Sequence, residues 1–190
     1  EIKDPDITHH EEFSEKLANY IASRRISIEV CPTSNLQTIP ALKNNIQNLM
    51  KDNSIDAILI TGAGQHNPPM VYLTGGGHLT NADLIIKYGQ EPILFHGSME
   101  RDEAAKSGFK TISYDKYSYD EIKKIAKGNP VDFQAIRYLE MLKDAGITEG
   151  NIAIYGNCDI SGKFAILSRV QALSQKINFV ISIINCNLAY

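Results

Sequence analysis

The chain has 190 residues, of which 43% are hydrophobic and 22% are charged, so it can bury the core of one domain, or of one domain with an extension. Its 19 basic and 22 acidic residues give a formal net charge of -3, which provides no general attraction to nucleic acid or to an anionic membrane surface. Three widely separated cysteines, Cys31, Cys158 and Cys186, argue against a disulfide framework and a zinc knuckle, and they favour the reducing cytoplasm.

No hydrophobic run approaches the roughly 20 residues that span a bilayer, and the first residues lack the character of a signal peptide. We therefore expect a cytoplasmic protein with no membrane and no nucleic-acid partner. The chain starts at Glu1 rather than Met, which fits a segment of a longer protein.

Residues 1–40 are predicted to form an N-terminal helix-strand segment. Hydrophobic residues recur at three- and four-residue spacing after Thr8, which is typical of an amphipathic helix, and residues 26–30 alternate as a strand. His9 and His10 are neighbours, so on a helix they point about 100° apart and do not form the one-turn pair that zinc helices use.

The string Cys31-Pro32-Thr33-Ser34-Asn35 follows that strand. It resembles the strand-and-loop signature of the adenosine deaminase family, a zinc-dependent TIM barrel. The resemblance covers residues 7–43, about one βα unit of such a barrel. The family's metal ligands and catalytic groups have no counterparts here, so the resemblance implies a loop at the C-terminal end of a strand and no catalytic residue.

From residue 41 onwards, helices and strands are predicted to alternate. A helical stripe over residues 42–50 precedes a strand over residues 55–60. After a loop containing Pro68-Pro69, Met70-Val71-Tyr72-Leu73 is predicted to be a short strand that ends in a flexible turn at Gly75-Gly76-Gly77. Two further strands are predicted over residues 82–86 and 92–95.

The second half of the chain contains several helix signals. Ser98 is predicted to cap a helix over residues 99–107, and Ser118 with Glu121 forms a capping box for a helix that ends before Gly128. Asn129-Pro130 is predicted to start a helix whose buried face carries Phe133, Ile136, Leu139 and Leu142.

Strands over residues 109–114, 152–155 and 177–184, with a helix from Ser161 to residue 173, complete the predicted order. The expected fold is therefore α/β, a mixed β-sheet flanked by helices.

Two glycine-rich stretches invite a nucleotide-binding interpretation. Residues 62–67 imitate a dinucleotide loop, but Asn67 replaces the third glycine and Pro68-Pro69 is expected to exclude the helix that would receive the pyrophosphate. Gly75-Gly76-Gly77-His78 lacks the Lys-Ser/Thr pair of a phosphate loop, so it favours a turn that passes close to a partner.

The isolated histidines and serines are not predicted to be metal ligands or nucleophiles. His66, His78 and His96 have irregular spacing and are expected to be exposed or hydrogen-bonded rather than metal ligands. Ser98 and Ser161 are predicted caps rather than nucleophiles, because neither lies in G-x-S-x-G. Tyr72 is expected in the core or at an interface.

A longer resemblance spans about residues 41–184. The strand 55–60, followed at the right distance by Tyr72-Leu73-Thr74-Gly75, and later by Glu91-Pro92-Ile93-Leu94-Phe95-His96 and residues 99–104, is similar to the N-terminal domain of the creatinase, prolidase and Xaa-Pro aminopeptidase family. We expect residues 41–190 to form such an α/β domain.

This resemblance implies a hydrolase in which the domain itself is non-catalytic and binds no metal. The reaction would belong to a C-terminal pita-bread domain, where two aspartates, a histidine and two glutamates hold two divalent metal ions such as Mn, Co or Zn. The predicted hairpin, with Tyr72, Gly75, Gly76 and His78, would form part of the substrate rim in a cytoplasmic homodimer, beside a peptide substrate.

Two alternatives stay open from the sequence. One is a fragment of an adenosine-deaminase-like zinc aminohydrolase. The other is a stand-alone α/β module that holds a small ligand or a protein through its glycine-rich turn.

Overall fold

A computed structural model describes residues 39–156 and 160–180 of the chain. The predicted N-terminal helix and strand, and residues 7–38 of the stretch that resembles adenosine deaminase, lie outside the described residues. So does the last strand beyond residue 180. The division of the chain at residue 40 stays a prediction.

Six strands of the described residues form one sheet. They are β1 (Ala57–Gly62), β2 (Ala82–Lys87), β3 (Ile93–His96), β4 (Lys110–Ser113), β5 (Gly150–Tyr155) and β6 (Ile177–Val180). Their order in the sheet is β4-β3-β2-β1-β5-β6. Strand β2 runs antiparallel to both of its neighbours, whereas the other adjacent pairs are parallel. The predicted mixed sheet is confirmed.

Helices connect and flank these strands. They are α1 (Ile39–Asp52), α2 (Pro68–Thr74), α3 (Arg101–Ala105), α4 (Tyr119–Ile125), α5 (Pro130–Asp144) and α6 (Ile160–Leu173), with short 3₁₀ turns at Ser98–Glu100 and Tyr114–Lys116. The predicted caps of α4 and α5 are confirmed. Ser118 Oγ accepts the backbone N–H of Glu121, and Asn129 Oδ1 accepts those of Val131 and Asp132.

The main core lies where α5 and α6 pack on the sheet. Its buried members include Leu59, Ile85, Phe95, Ile152, Met141, Leu142, Leu167 and Val170. The buried side chains of α5 are Ala135, Tyr138, Met141 and Leu142, and Leu139 is half-buried but packs against the same core. The predicted face is therefore confirmed at Leu142 and Leu139, whereas Phe133 and Ile136 are only half-buried.

The segment predicted as a strand before the glycines is a helix, α2. Pro68 and Pro69 occupy its first positions, where the backbone N–H has no intrahelical acceptor and the fixed φ of proline suits the helix. Gly75 ends it in the left-handed region, with φ 79°, and donates its N–H to Val71 O at 3.0 Å. The predicted hairpin was therefore wrong, and so was the expectation that Pro68-Pro69 excludes a helix.

Two predicted serine caps are also wrong. Ser98 lies in a 3₁₀ turn, and α3 starts only at Arg101, with Glu100 as the preceding residue. Helix α6 begins at Ile160, so Ser161 lies inside its first turn. Both errors concern the residue at which a helix starts.

Candidate functional site

The chain reverses direction across the sheet between β1 and β5. It first adds β2, β3 and β4 on one side of β1, and then adds β5 and β6 on the other side. Strands β1 and β5 are parallel, so their carboxyl ends share one edge of the sheet. In open α/β sheets, ligands bind in the crevice at such a switch point.

The four predicted rim residues lie on α2 and the loop that follows it. Tyr72 is 48% exposed, so it is not part of the core. Gly75 and Gly76 both have left-handed backbone conformations, with φ of 79° and 82°, which favour glycine. His78 is exposed. These four residues lie within residues 72–78, which we call the rim segment.

The loop after β1 holds the rim segment from one side. Gln65 Nε2 and His78 Nδ1 are 2.7 Å apart, and the N–H of Gly64 donates to Leu79 O at 3.0 Å. Leu79 itself is buried, so it anchors the end of the segment in the protein. Asn67 fixes the same loop to β1, because its Nδ2 donates to Thr61 O at 3.1 Å.

Two carboxylates hold the segment from the other side. Glu103 Oε2 accepts the backbone N–H of His78 at 3.4 Å, and Glu100 Oε1 accepts that of Thr80 at 2.5 Å. The hydrogen bond from Lys106, and then the one from His78, lower the pKa of the Glu103 carboxyl. Glu103 is therefore a charged acceptor at neutral pH, which strengthens its hold on the loop.

A second group of polar side chains is buried at the same end of the sheet, and the sequence analysis missed it. Its centre is Asp83 on β2, which is 4% exposed. Each carboxylate oxygen accepts a hydrogen bond from a phenol at 2.7 Å. Oδ1 accepts from Tyr138 of α5, and Oδ2 accepts from Tyr114. A buried carboxylate is costly unless hydrogen-bonded, and these two donors offset that cost.

Lys163 of α6 and Thr61 of β1 complete this polar cluster. Lys163 Nζ donates to the hydroxyl oxygen of Tyr138 at 2.7 Å and to Thr61 Oγ1 at 2.9 Å. The hydroxyls of Thr61 and Tyr138 are 3.2 Å apart. Thr61 pairs with Asp83 in the register of β1 and β2, so the antiparallel pairing places these two polar residues side by side.

The two phenols of the cluster stay neutral. Burial first, and then the charge of Asp83, raise the pKa of Tyr138 and of Tyr114 well above the ordinary value near 10. Each phenol therefore stays protonated and donates a hydrogen bond to Asp83. Arg137 lies over the ring of Tyr114, with Cζ 4.6 Å from the centroid, an attractive cation–π contact.

One signal in the sequence could have identified the cluster. Asp83 stands inside the hydrophobic run of residues 82–86, in a strand with apolar neighbours on both sides. A charged residue in such a strand requires buried partners. The two phenols that donate to Asp83, Tyr114 and Tyr138, are 31 and 55 residues away along the chain, so only the fold identifies them.

The histidines are placed in different surroundings. His96 is buried, with Nδ1 2.7 Å from Gly97 O, whereas His78 is exposed and bonded to Gln65. Across residues 39–156 and 160–180, no group of three or more His, Cys, Asp or Glu side chains could hold a metal ion. In the same part of the chain, no helix has the length and apolar character needed to cross a membrane.

Comparison with known proteins gives structural similarity at low sequence identity. No protein-family model and no curated protein matches the chain. Solved structures similar to it include an X-Pro aminopeptidase from Thermotoga maritima, at 16% identity and TM-score 0.46 over 73% of this chain and 32% of that one. An Xaa-Pro aminopeptidase from Streptococcus thermophilus matches at 20% identity and TM-score 0.46, over 75% and 92% of the two chains.

The N-terminal domain of an Xaa-Pro dipeptidase from Lactobacillus brevis matches at 16% identity and TM-score 0.44, over 67% of this chain and 86% of that one. The match spans about one third of the Thermotoga maritima protein and of a dipeptidase from Pyrococcus horikoshii. Xaa-Pro peptidases are also the family that the sequence resembles.

Proposed function

We propose that this chain is a non-catalytic N-terminal domain of a metal-dependent Xaa-Pro aminopeptidase or dipeptidase, where it contributes to dimerisation and to the rim of the substrate site. The observation that carries the proposal is the rim segment. It presents a half-exposed aromatic ring and two bare glycines close to the carboxyl end of β1, and hydrogen bonds from both sides hold it in place.

The residues of the rim segment suit contact with a peptide or a neighbouring subunit. The ring of Tyr72 offers a flat apolar face with a polar tip, a combination that is enriched at interfaces. Gly75 and Gly76 leave the backbone open to close approach. Because residues on both sides fix the loop, little conformational entropy is lost when a partner binds.

Chemistry in this proposal belongs to a pita-bread domain outside the chain. That domain would bind the Mn, Co or Zn ions. The described residues offer no matching ligand set, so we assign no chemical step to them. The chain's own part is to shape and close the edge of the site.

Dimerisation is tested with two matched tyrosine variants of the 190-residue chain. Tyr72→Ser changes the rim segment, whereas Tyr88→Ser removes a ring of similar exposure, 48% against 45%, from the turn at the opposite end of β2. Sedimentation velocity is expected to give a dimer for the natural chain and for Tyr88→Ser, and a weaker dimer for Tyr72→Ser. A monomeric natural chain, or equal weakening in both variants, would contradict a role in dimerisation.

The non-catalytic assignment has its own test. The chain is incubated alone with Mn²⁺ and an Xaa-Pro dipeptide, and we expect no hydrolysis. Metal-dependent cleavage by this chain would overturn the assignment. In a two-domain enzyme that contains the chain, Tyr72→Ser is expected to raise KM more than it lowers kcat, because a rim contact acts on substrate binding.

A further inference from the structure

The polar cluster contains more polar groups than packing of the core requires. Thr61, Asp83 and Tyr138 are each at most 4% exposed, at a place where hydrophobic side chains fill the rest of the interior. Burial of a carboxylate and two hydroxyls is unfavourable unless each group is satisfied. The arrangement satisfies them, and it also fixes one ammonium group, that of Lys163.

Lys163 is held in a defined direction. An ammonium has three N–H donors, and two of them are directed to Thr61 Oγ1 and to the hydroxyl oxygen of Tyr138. These two hydrogen bonds leave the third N–H with a set orientation.

No carboxylate of the described residues contacts this ammonium directly. Asp83 is one phenol further away, because Tyr138 donates its O–H to Asp83 and accepts from Lys163. Within residues 39–156 and 160–180, no ion pair includes Lys163. Lys163 is only half-buried, so an acidic group can approach it from the solvent.

The ammonium lies at the switch point of the sheet. Thr61 is the penultimate residue of β1, and Lys163 is in the first turn of the helix that follows β5. Gly156 follows β5 directly, and a Cβ at that position would collide with Thr61 O. Only glycine allows the two strand ends to approach so closely, and Lys163 contacts Thr61 at this edge of the sheet.

We propose that Lys163 binds the carboxylate group of a small ligand, with Thr61, Tyr138 and Asp83 as positioning residues. A carboxylate matches the site because its single charge equals that of one ammonium. A phosphate dianion would need a second cation. This site is separate from the rim segment and does not depend on the function proposed above.

The test is a titration of the 190-residue chain with sodium acetate, followed by amide chemical shifts, with sodium chloride at equal ionic strength as reference. We expect saturable shifts near Thr61 and Lys163 that chloride does not produce. Lys163→Gln should weaken acetate binding at least about tenfold, the effect of losing one charge-assisted hydrogen bond. Lys143→Gln, which removes an exposed lysine paired with Glu140, should leave binding unchanged.

Two further variants separate the charge of Lys163 from its orientation. Tyr138→Phe retains the lysine but removes the hydroxyl that orients it, so acetate should bind more weakly although the amide spectrum stays dispersed. Lys163→Arg retains the charge and should bind acetate better than Lys163→Gln.

If the amide chemical shifts of the natural chain do not saturate with acetate concentration, the proposal is overturned, whether or not any variant folds. Equal binding by folded Lys163→Gln would overturn it too. Tighter binding of inorganic phosphate than of acetate at the same amides would overturn the carboxylate assignment.

Discussion

Lys163 and Asp83 are joined through the hydroxyl group of Tyr138, which lies 2.7 Å from the amino nitrogen and 2.7 Å from the carboxylate oxygen Oδ1. The three residues come from α6, β2 and α5. One phenol therefore connects two helices to a central strand.

Tyr138→Phe is expected to destabilise the protein by about 2 kcal/mol, because Asp83 loses one of its two buried donors while the aromatic packing is kept. Urea unfolding of the natural chain and the variant measures the difference. Tyr119→Phe is the control, since that ring is 61% exposed, and a change within about 0.5 kcal/mol is expected there. Equal losses of unfolding free energy in the two variants would show that the hydroxyl of Tyr138 stabilises the protein no more than the exposed hydroxyl of Tyr119.

The free energy of unfolding is expected to fall as the pH rises above about 10. Burial and Asp83 raise the pKa of Tyr114 and Tyr138 in the folded chain, whereas an unfolded tyrosine releases its proton near pH 10. Above that pH the folded state binds more protons than the unfolded state, so stability decreases with pH until the folded phenols titrate.

Urea unfolding at about pH 8 and about pH 11 measures this dependence. Tyr138→Phe should lose less stability between the two values than the natural chain, because one of the two phenols that donate to Asp83 is gone. Tyr119→Phe retains both of these phenols and should behave as the natural chain does. A stability that is the same at both pH values would contradict the assignment of neutral phenols that donate to Asp83.

Gly64→Ala is expected to destabilise the protein by about 1–3 kcal/mol, the usual range for overpacking. A Cβ at Gly64 would overlap both the carbonyl oxygen and the Cβ of Leu79, so the loop after β1 would move away from the rim segment. Gly97→Ala is the matched control, since its Cβ would meet only the flexible end of Glu100, at 3.4 Å.

Thermal unfolding measures the stability lost in Gly64→Ala. Limited proteolysis measures how firmly the rim segment is held. We expect faster cleavage near His78 in Gly64→Ala than in Gly97→Ala. If the two variants are cleaved equally fast, the contact between Gly64 and Leu79 does not hold the segment.

Asn129→Ala is expected to cost about 1 kcal/mol, because α5 loses the side chain that accepts the N–H groups of Val131 and Asp132. Asn129→Asp keeps an acceptor oxygen at the same place and should retain most of the stability. Denaturant unfolding compares the two variants. A loss in Asn129→Asp as large as that in Asn129→Ala would contradict the capping role.

The local features of the sequence determined most of the secondary structure. The hydrophobic strands, the cap at Asn129 followed by Pro130, and the pairing of Ser118 with Glu121 act through neighbouring backbone groups. Their physical cause lies within a few residues of the chain, so the sequence could predict them. It likewise predicted the α/β class, because helices and strands alternate from residue 39 to residue 180.

Tertiary structure alone decided the remaining features. The hydrophobic residues from Met70 to Leu73 are typical of a strand, but Pro68 and Pro69 start a helix there. The loop before this helix is held against β1 by the hydrogen bond from Asn67 to Thr61 O. Of the four side chains that α5 buries, Tyr138 is the one that reaches Asp83. The polar cluster exists only because the antiparallel pairing of β1 with β2, and the parallel addition of β5, bring Thr61, Asp83 and Lys163 together. Their contacts depend on the register of strands and on helix rotation, which neighbouring residues in the sequence do not control.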